Sequence, residues 1–588
     1  MSLQFVFGNS GAGKSYYLYQ TVIEESMKRP DMNYLVLVPE QFTMQTQKDL
    51  CMMHPRHGIM NIDVLSFGRL AHRVFEESGG DTKQVLDDEG KNLILRKIAG
   101  SYGEELRVLR GNLKKQGYIS EVKSVISEFT QYGIGPGDLD EFMEGLISDS
   151  YLYYKLQDIR KVYNGFEKFL ADRYITKEEL LDVLSGVVKR SALLQKSVVV
   201  LDGFTGFTPV QNKLLGELLE TCEQVVVTVE MDKREDPYVY RHPYQLFALS
   251  KQMVTGLVKI AGEHQVAIDD DVRLYNRPVY RFRYNEALGF LESELFRYSK
   301  KQYEKEQDAL TMHAAGSPKR EAEYVASQIR RLVRENGYRY RDIAVIAGDL
   351  NTYAVHMEKA CEAYGIPVFM DHKKSILLNA FVEYLRSLLA MVEQNFSYES
   401  VFRFLRTGMT GFGRREVDMM ENYVLALGIR GYNKWNSVWV RHTSGMDEKT
   451  LAVLNGLRNR FVEQIDSLVM VLKQRNKTVG EVTAAVYDFL ARHQMQTRLK
   501  EMENHFQEQG ELALAKEYAQ VYRITIELFD KFVELLGDER ISLKEYCELL
   551  DAGLEEAKVG VIPPSLDQVV VGAVVPVAVF ADTTSRTR

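Results

Sequence analysis

The chain has 588 residues, 45% apolar and 27% charged, with 74 Lys and Arg against 82 Asp and Glu for a net charge of −8. This composition excludes a mostly disordered chain, a collagen and a membrane bundle, and at about 150 residues per domain the length suits roughly four domains. The charge excludes a uniformly basic nucleic-acid coat but leaves room for a local basic groove. Cys51, Cys222, Cys361 and Cys547 lie far apart without a CxxC pair, which speaks against a disulfide scaffold or a zinc ribbon and suits a reducing cytoplasm. No basic leader precedes the apolar residues that begin at Leu3, and the longest apolar run, 569–581, is short for a bilayer and holds Pro576. A cytoplasmic chain with no membrane partner is expected.

In chain order, the apolar runs LQFVF (3–7), YLVLV (34–38) and IDVL (62–65) alternate with helical patterns, as parallel βαβ units do. A stretch over 85–190 reads as helical with no strand-like run, and SVVVLD (197–202) and QVVVTVE (224–230) then resume the strand pattern. A second cycle predicts a strand over LTMHAA (310–315) and a helix from Pro318 to Arg334. Strands over 342–348 and 365–370 follow, with a helix between them. From 376 to about 558 the pattern is helical, and SLDQVVVG (565–572) returns to strand. The expected fold is therefore α/β with two lobes and two large helical insertions. The first lobe comprises 1–84 and 191–300, interrupted by 85–190; the second comprises 301–395 and 559–572, interrupted by 396–558.

Gly8-Asn9-Ser10-Gly11-Ala12-Gly13-Lys14-Ser15 matches G-x-x-x-x-G-K-[ST] between a predicted strand and a predicted helix. In such a loop the glycines let backbone N–H groups turn around phosphate oxygens, the lysine reaches the β- and γ-phosphates, and the hydroxyl holds Mg²⁺. ATP and Mg²⁺ are the expected cofactors. Hydrolysis needs a second strand that ends in an Asp for the metal, followed by a Glu that activates water. Asp202 closes SVVVLD and suits the metal role better than the alternative, a simple strand-end turn; the next residue is Gly203, which has no base to offer.

The phosphate loop, Val38-Pro39-Glu40-Gln41-Phe42-Thr43 and Val64-Leu65-Ser66-Phe67-Gly68-Arg69-Leu70-Ala71 resemble superfamily 1 helicase motifs I, Ia and Ib. Asp202-Gly203-Phe204-Thr205-Gly206-Phe207 stands where such helicases carry D-E-x-Q-D, with Gly203, Thr205 and Gly206 replacing Glu, Gln and the second Asp. Residues 340–348 resemble motif IV, with Gly348 in place of an Arg, and Gly365-Ile366-Pro367-Val368 also recurs there. An intact phosphate loop beside eroded hydrolysis motifs, together with Ile562–Gln568 near the end, resembles the B-subunit family of the AddAB helicase–nucleases.

The resemblance implies superfamily 1 helicase-like tandem lobes and a role in repairing double-strand breaks by homologous recombination. A motor subunit of the AddA type would be the partner, with single- and double-stranded DNA ends as substrate. The B subunit would scan one strand for a Chi sequence with its inactivated lobes. Carried over position by position, the strand-contacting residues are Gln41, Thr43, Phe67, Arg69 and Phe204; His72 stands where a family member carries Trp, leaving open which sequence is read. Phe67 and Phe204 offer stacking faces, and Arg69 can meet phosphate or a base edge. The spacing of Leu70, Ala71, Val74 and Phe75 is also that of a helix core face, which would leave Arg69, His72 and Arg73 simply solvated. The basic stretch from Lys319 to Arg341 likewise reads as a phosphate track or as a surface helix interrupted by glutamates. The family's C-terminal nuclease domain, with its iron–sulfur cluster, is not expected in this chain; the second lobe is expected to be incomplete and 573–588 to be an aberrant tail. Two other functions fit the same residues: an active superfamily 1 helicase with an unrecognised base, and a phosphate-loop scaffold that binds proteins and no DNA.

Overall fold

Valine-rich runs such as Ser197–Leu201, buried at every position, need cover on both faces and so belong inside a parallel sheet. The computed structural model describes residues 1–78, 83–112, 117–148, 150–171, 173–370, 374–559 and 567–573. They form two compact units, Met1–Asp87 with Leu106–Leu109 and Val122–Ala314, and Asp88–Glu105 with Arg110–Glu121 and the chain from Ala315.

The first unit holds β1 (Ser2–Gly8), β2 (Asn33–Leu37), β3 (Ile62–Leu65), β4 (Gln84–Leu86), β5 (Tyr174–Thr176), β6 (Ser197–Leu201), β7 (Gln224–Glu230), β8 (Ala267–Ile268) and β9 (Val272–Leu274). Its main sheet runs β3-β2-β6-β7-β1-β8, with β9 also paired to β1, and every pairing is parallel. Helices α1 (Lys14–Lys28), α2 (Thr43–Met53) and α3 (Phe67–Ser78) follow β1, β2 and β3.

The two-residue period of the strands sorts side chains onto two cores. Leu3, Phe5, Phe7, Val199, Leu201, Val225, Val227 and Val229 face one way, with Leu70 and Val74 of α3 and Leu214 and Leu218 of the helix Pro209–Thr221. Val6, Val36, Val64, Val200 and Val226 face the other, with Leu18 and Val22 of α1. Thr208 caps the helix Pro209–Thr221 in a reciprocal box with Gln211, so the loop after β6 is anchored at its far end.

The stretch 85–190, expected to be free of strands, contributes β5, which pairs in parallel with β4 from Gln84–Tyr174 to Leu86–Thr176. Tyr-Ile-Thr favours a strand, but three residues are too few to interrupt a helical pattern in the sequence. The short strands β8 and β9 were not anticipated either.

The second unit contains α4 (Asp88–Ser101), which lies against the helices Leu512–Leu536 and Leu543–Glu556. Lys97 pairs with Glu539 at 2.7 Å, and Lys531 pairs with Glu89. The strands here are β10 (Ala344–Ala347), β11 (Val368–Met370), β12 (Lys374–Ser375), β13 (Lys558–Val559) and β14 (Val569–Ala573). The order β10-β14-β11 makes a parallel sheet, and β12 and β13 form an antiparallel pair. Ala322, Ala326 and Ile329 of the helix Pro318–Asn336 share a core with Met357 and Cys361 of the helix Leu350–Tyr364 and with Val569 and Val571 of β14. Ser317 caps the first of these helices, with Pro318 in its first turn. Helices fill the chain from Ala380 to Glu556.

The strand expected over 310–315 is not formed. Those residues are exposed and pair with no strand, and an extended segment without a ladder partner has nothing to hold it in strand geometry. Residues 560–566, which include most of the Ile562–Gln568 segment, and 574–588, which make up the expected tail apart from Ala573, lie outside the described residues. Among the described residues no helix is long and apolar enough to cross a membrane.

Leu35 sits at the centre of β2 with no exposure. Leu35→Ala should lower the unfolding free energy of the first unit by about 2–5 kcal/mol, read as a fall in its urea midpoint without a change in slope.

Candidate nucleotide site at the carboxyl edge of the sheet

Loops that leave the carboxyl ends of parallel strands converge on one edge, where open α/β sheets bind ligands. The loop from β1 enters α1 through Gly11 and Gly13, whose φ values of 73° and 91° are left-handed. Ala12 N–H donates to the Asn9 carbonyl at 3.1 Å and closes the turn. The loop thus ends at the positive end of a 15-residue helix with no acidic residue in its first turn, an arrangement that favours an anion.

Lys14 folds back over its own loop, its Nζ donating to the carbonyls of Gly8 and Asn9 at 3.0 Å each. Burial holds its ammonium below the ordinary lysine range; the charges of Glu230 and then Asp202 oppose that shift, and Arg281 adds to it. Asn9, 5% exposed, donates from Nδ2 to Glu292 Oε1 at 3.1 Å and Oε2 at 3.4 Å. Burial pushes the Glu292 carboxyl up, against the hydrogen bond from Asn9.

A strap of residues 277–284 closes over the loop. Arg281 N–H donates to the Gly11 carbonyl at 3.1 Å, and a Cβ on Gly11 would stand 2.7 Å from the Arg281 Cβ. Gly11 is therefore required both by its backbone angle and by the approach of the strap. Tyr280 stacks on Tyr16 of α1 with ring centres 6.2 Å apart, and the Arg283 guanidinium lies 4.3 Å from the Tyr280 ring centre.

Asp202, at the end of β6, is 6% exposed. Its Oδ2 accepts from Tyr19 Oη at 2.8 Å and its Oδ1 from Thr228 Oγ1 at 2.6 Å. Ser15, one helical turn before Tyr19, is exposed. The loop amides, Lys14 and Ser15 suit the phosphates and metal of a nucleotide. Asp202 fits a metal less well, because both of its oxygens are already directed to hydroxyl donors.

The residues expected at a DNA strand share this edge but differ in access. Gln41, Arg69 and His72 are exposed, on the turn after β2 and the outer face of α3. Thr43 is 5% exposed and its hydroxyl donates to the Glu40 carbonyl at 3.0 Å. Phe67, 7% exposed, belongs to the core, so the stacking face expected of it is covered. Phe204 is half-buried, with its ring centre 5.4 Å from that of Phe67 and 5.3 Å from that of Phe207. Sequence reasoning missed the strap, Glu292 and Glu230. The run Tyr280-Arg281-Phe282-Arg283-Tyr284, dense in rings and guanidinium groups, was the available signal for the strap.

The family described as ADDB, N-terminal, matches residues 5–292, and the UvrD-like helicase C-terminal domain matches residues 284–552. The B subunit of an ATP-dependent helicase/deoxyribonuclease from Lachnoclostridium phytofermentans is 44% identical over 97% of this chain and 50% of its own length. Proteins of the same name from Clostridium acetobutylicum and Caldanaerobacter subterraneus subsp. tengcongensis are 32% and 34% identical, each over 98% of this chain and 50% of their own length. The chain thus spans about half the length of the curated relatives it matches.

If Asp202 is held by its two hydroxyl donors, Tyr19→Phe and Thr228→Val should each destabilise the first unit by about 1–3 kcal/mol. Urea denaturation of the two single variants and the double variant measures this, and coupling between the substitutions is expected because both donors serve one carboxylate.

Proposed function

We propose that this chain, which by its likeness belongs with the ATP-dependent helicase/deoxyribonuclease B subunits, binds ATP and scans single-stranded DNA for a Chi sequence. It does so within a complex that processes DNA ends for double-strand break repair by homologous recombination. The observation that carries the reading is an intact phosphate cradle on the same sheet edge as exposed Gln41, Arg69 and His72. Gly203, rather than a glutamate, follows Asp202 at that edge.

In this reading Lys14 leaves the carbonyls of Gly8 and Asn9 for the β- and γ-phosphates, so its buried charge gains a far stronger partner. Ser15 supplies the hydroxyl to Mg²⁺, with Asp202 behind it. Arg69 and His72 on the outer face of α3, with Gln41 on the turn after β2, meet the strand, and Phe204, backed by Phe67 and Phe207, offers a ring to a base. The chain works beside an AddA-type motor subunit, which drives translocation. Residues 1–84 with 191–300 and 301–395 with 559–572 act as two superfamily 1 helicase-like lobes, and 85–190 and 396–558 act as their helical insertions.

Two measurements test the proposal on the purified chain. Lys14→Ala should abolish Mg²⁺-dependent ATP binding while leaving the thermal melt in place. Single-strand affinity should fall as salt rises, and Arg69→Ala with Arg73→Ala should reduce the slope of log affinity against log salt by about 0.7 for each phosphate no longer neutralised. A single-strand affinity indifferent to both salt and these substitutions would sink the DNA part. Resection of Chi-containing duplex by the chain together with its motor subunit then reports on Chi recognition.

A further inference from the structure

We infer that Glu230, at the tip of β7, is the carboxylate that activates water for a slow ATP turnover at the phosphate loop, in place of the glutamate absent at Gly203. The inference rests on the ATP-binding reading above and concerns what the same site does to its nucleotide.

The sheet order carries the argument. β7 lies between β1 and β6, and its register with β1 runs from Ser2–Gln224 to Gly8–Glu230. The last residue of β7 is therefore beside the first glycine of the phosphate loop, and Met231 N–H donates to the Gly8 carbonyl at 3.0 Å to hold it there. The face follows from the period of two. Val225, Val227 and Val229 lie in the core away from α1, whereas Val226 lies in the core with α1. Thr228 reaches Asp202, which reaches Tyr19 of α1. Glu230 is next in that series, on the face of the sheet where Lys14 and Ser15 begin the helix.

Three carboxylates act on the Lys14 charge: Glu230 first, then Asp202, then Glu292. Two of them are committed. Asp202 is buried with both oxygens bonded to hydroxyls, and Glu292 clamps Asn9 with both of its oxygens. Glu230 is exposed, and its carboxylate makes no hydrogen bond or ion pair among the described residues. Glu40 is also exposed, but it follows β2, which β6 and β7 separate from β1. Glu230 is thus the carboxylate open to water on the strand adjoining the phosphate loop, where a general base for the attacking water has to stand.

The reaction is hydrolysis. A water oxygen bonds to the γ-phosphorus as the bond from that phosphorus to the β–γ bridging oxygen breaks. The Glu230 carboxylate takes the water proton and then returns it to solvent, leaving ADP and inorganic phosphate. No oxidant or further reactant is needed.

The test uses the full chain with Mg²⁺ and ATP, reading binding by equilibrium titration with a fluorescent ATP analogue and turnover under single-turnover conditions. Glu230→Gln should bind the analogue within threefold of the original chain, or more tightly, while turnover falls about 10²-fold or more. After incubation with ATP and desalting, the original chain should retain ADP and the Glu230→Gln chain intact ATP, a difference that a purely structural role for Glu230 would not produce. Should the amide disturb folding, Glu230→Asp keeps the charge one methylene back and should lose turnover about tenfold with binding preserved. Turnover by Glu230→Gln within threefold of the original overturns the inference, as does an original chain that binds ATP and never cleaves it. In that last case the ATP-binding reading stands. An original chain that binds no ATP overturns both.

Discussion

Strand β1 is paired on both sides by parallel neighbours, with β7 from Ser2 to Gly8 and with β9 from Val6 to Gly8. A strand so enclosed delivers its last residue at the sheet edge in a direction its neighbours dictate. A Cβ at Gly8 would lie 3.0 Å from both the Ala12 Cβ and the Leu274 carbonyl oxygen, so the exit is narrow as well as directed. From that exit the loop must turn sharply to start α1 on the same face, and the left-handed glycines at 11 and 13 provide the turn. The position of the phosphate loop, the approach of the strap and the nearness of Glu230 all follow from how β1 is held.

The electrostatics of the edge are arranged around one buried cation. Lys14 loses hydration on burial, and its two carbonyl acceptors and the surrounding carboxylates offset only part of that loss. A site left in this state favours a ligand with several negative charges. It also makes the surrounding acids unequal. Asp202 and Glu292 accept hydrogen bonds from their own donors, whereas Glu230 is exposed.

α3 shows why single residues there carried two meanings in the sequence. Its inner face, Leu70, Ala71 and Val74, is buried, and its outer face leaves Arg69, His72 and Arg73 exposed. Helix core and strand contact are compatible on opposite sides of one helix. Phe67 is different, because it begins the helix on the inner side and its ring is enclosed. Of the two rings expected to stack, Phe204 is the one left partly accessible, with Phe67 packed behind it. In the second unit, the parallel sheet of β10, β14 and β11 joins residues more than 200 positions apart in the chain, whereas 310–315 pairs with no strand.

By itself the sequence determined the main strands of the first unit, the phosphate loop and the helical character of the long insertions. Each of these is written in local periodicity or in a contiguous motif, and local backbone chemistry is enough to express it. Only the tertiary structure decided that Asp202 is saturated by Tyr19 and Thr228, that Asn9 is clamped by Glu292, and that residues 277–284 close over Gly11. It alone brought Glu230 beside Gly8. These contacts join positions 26 to 283 residues apart. A hydrogen bond or a strand register between distant segments leaves no periodic trace in either one, because it depends on the order in which parallel strands enter the sheet.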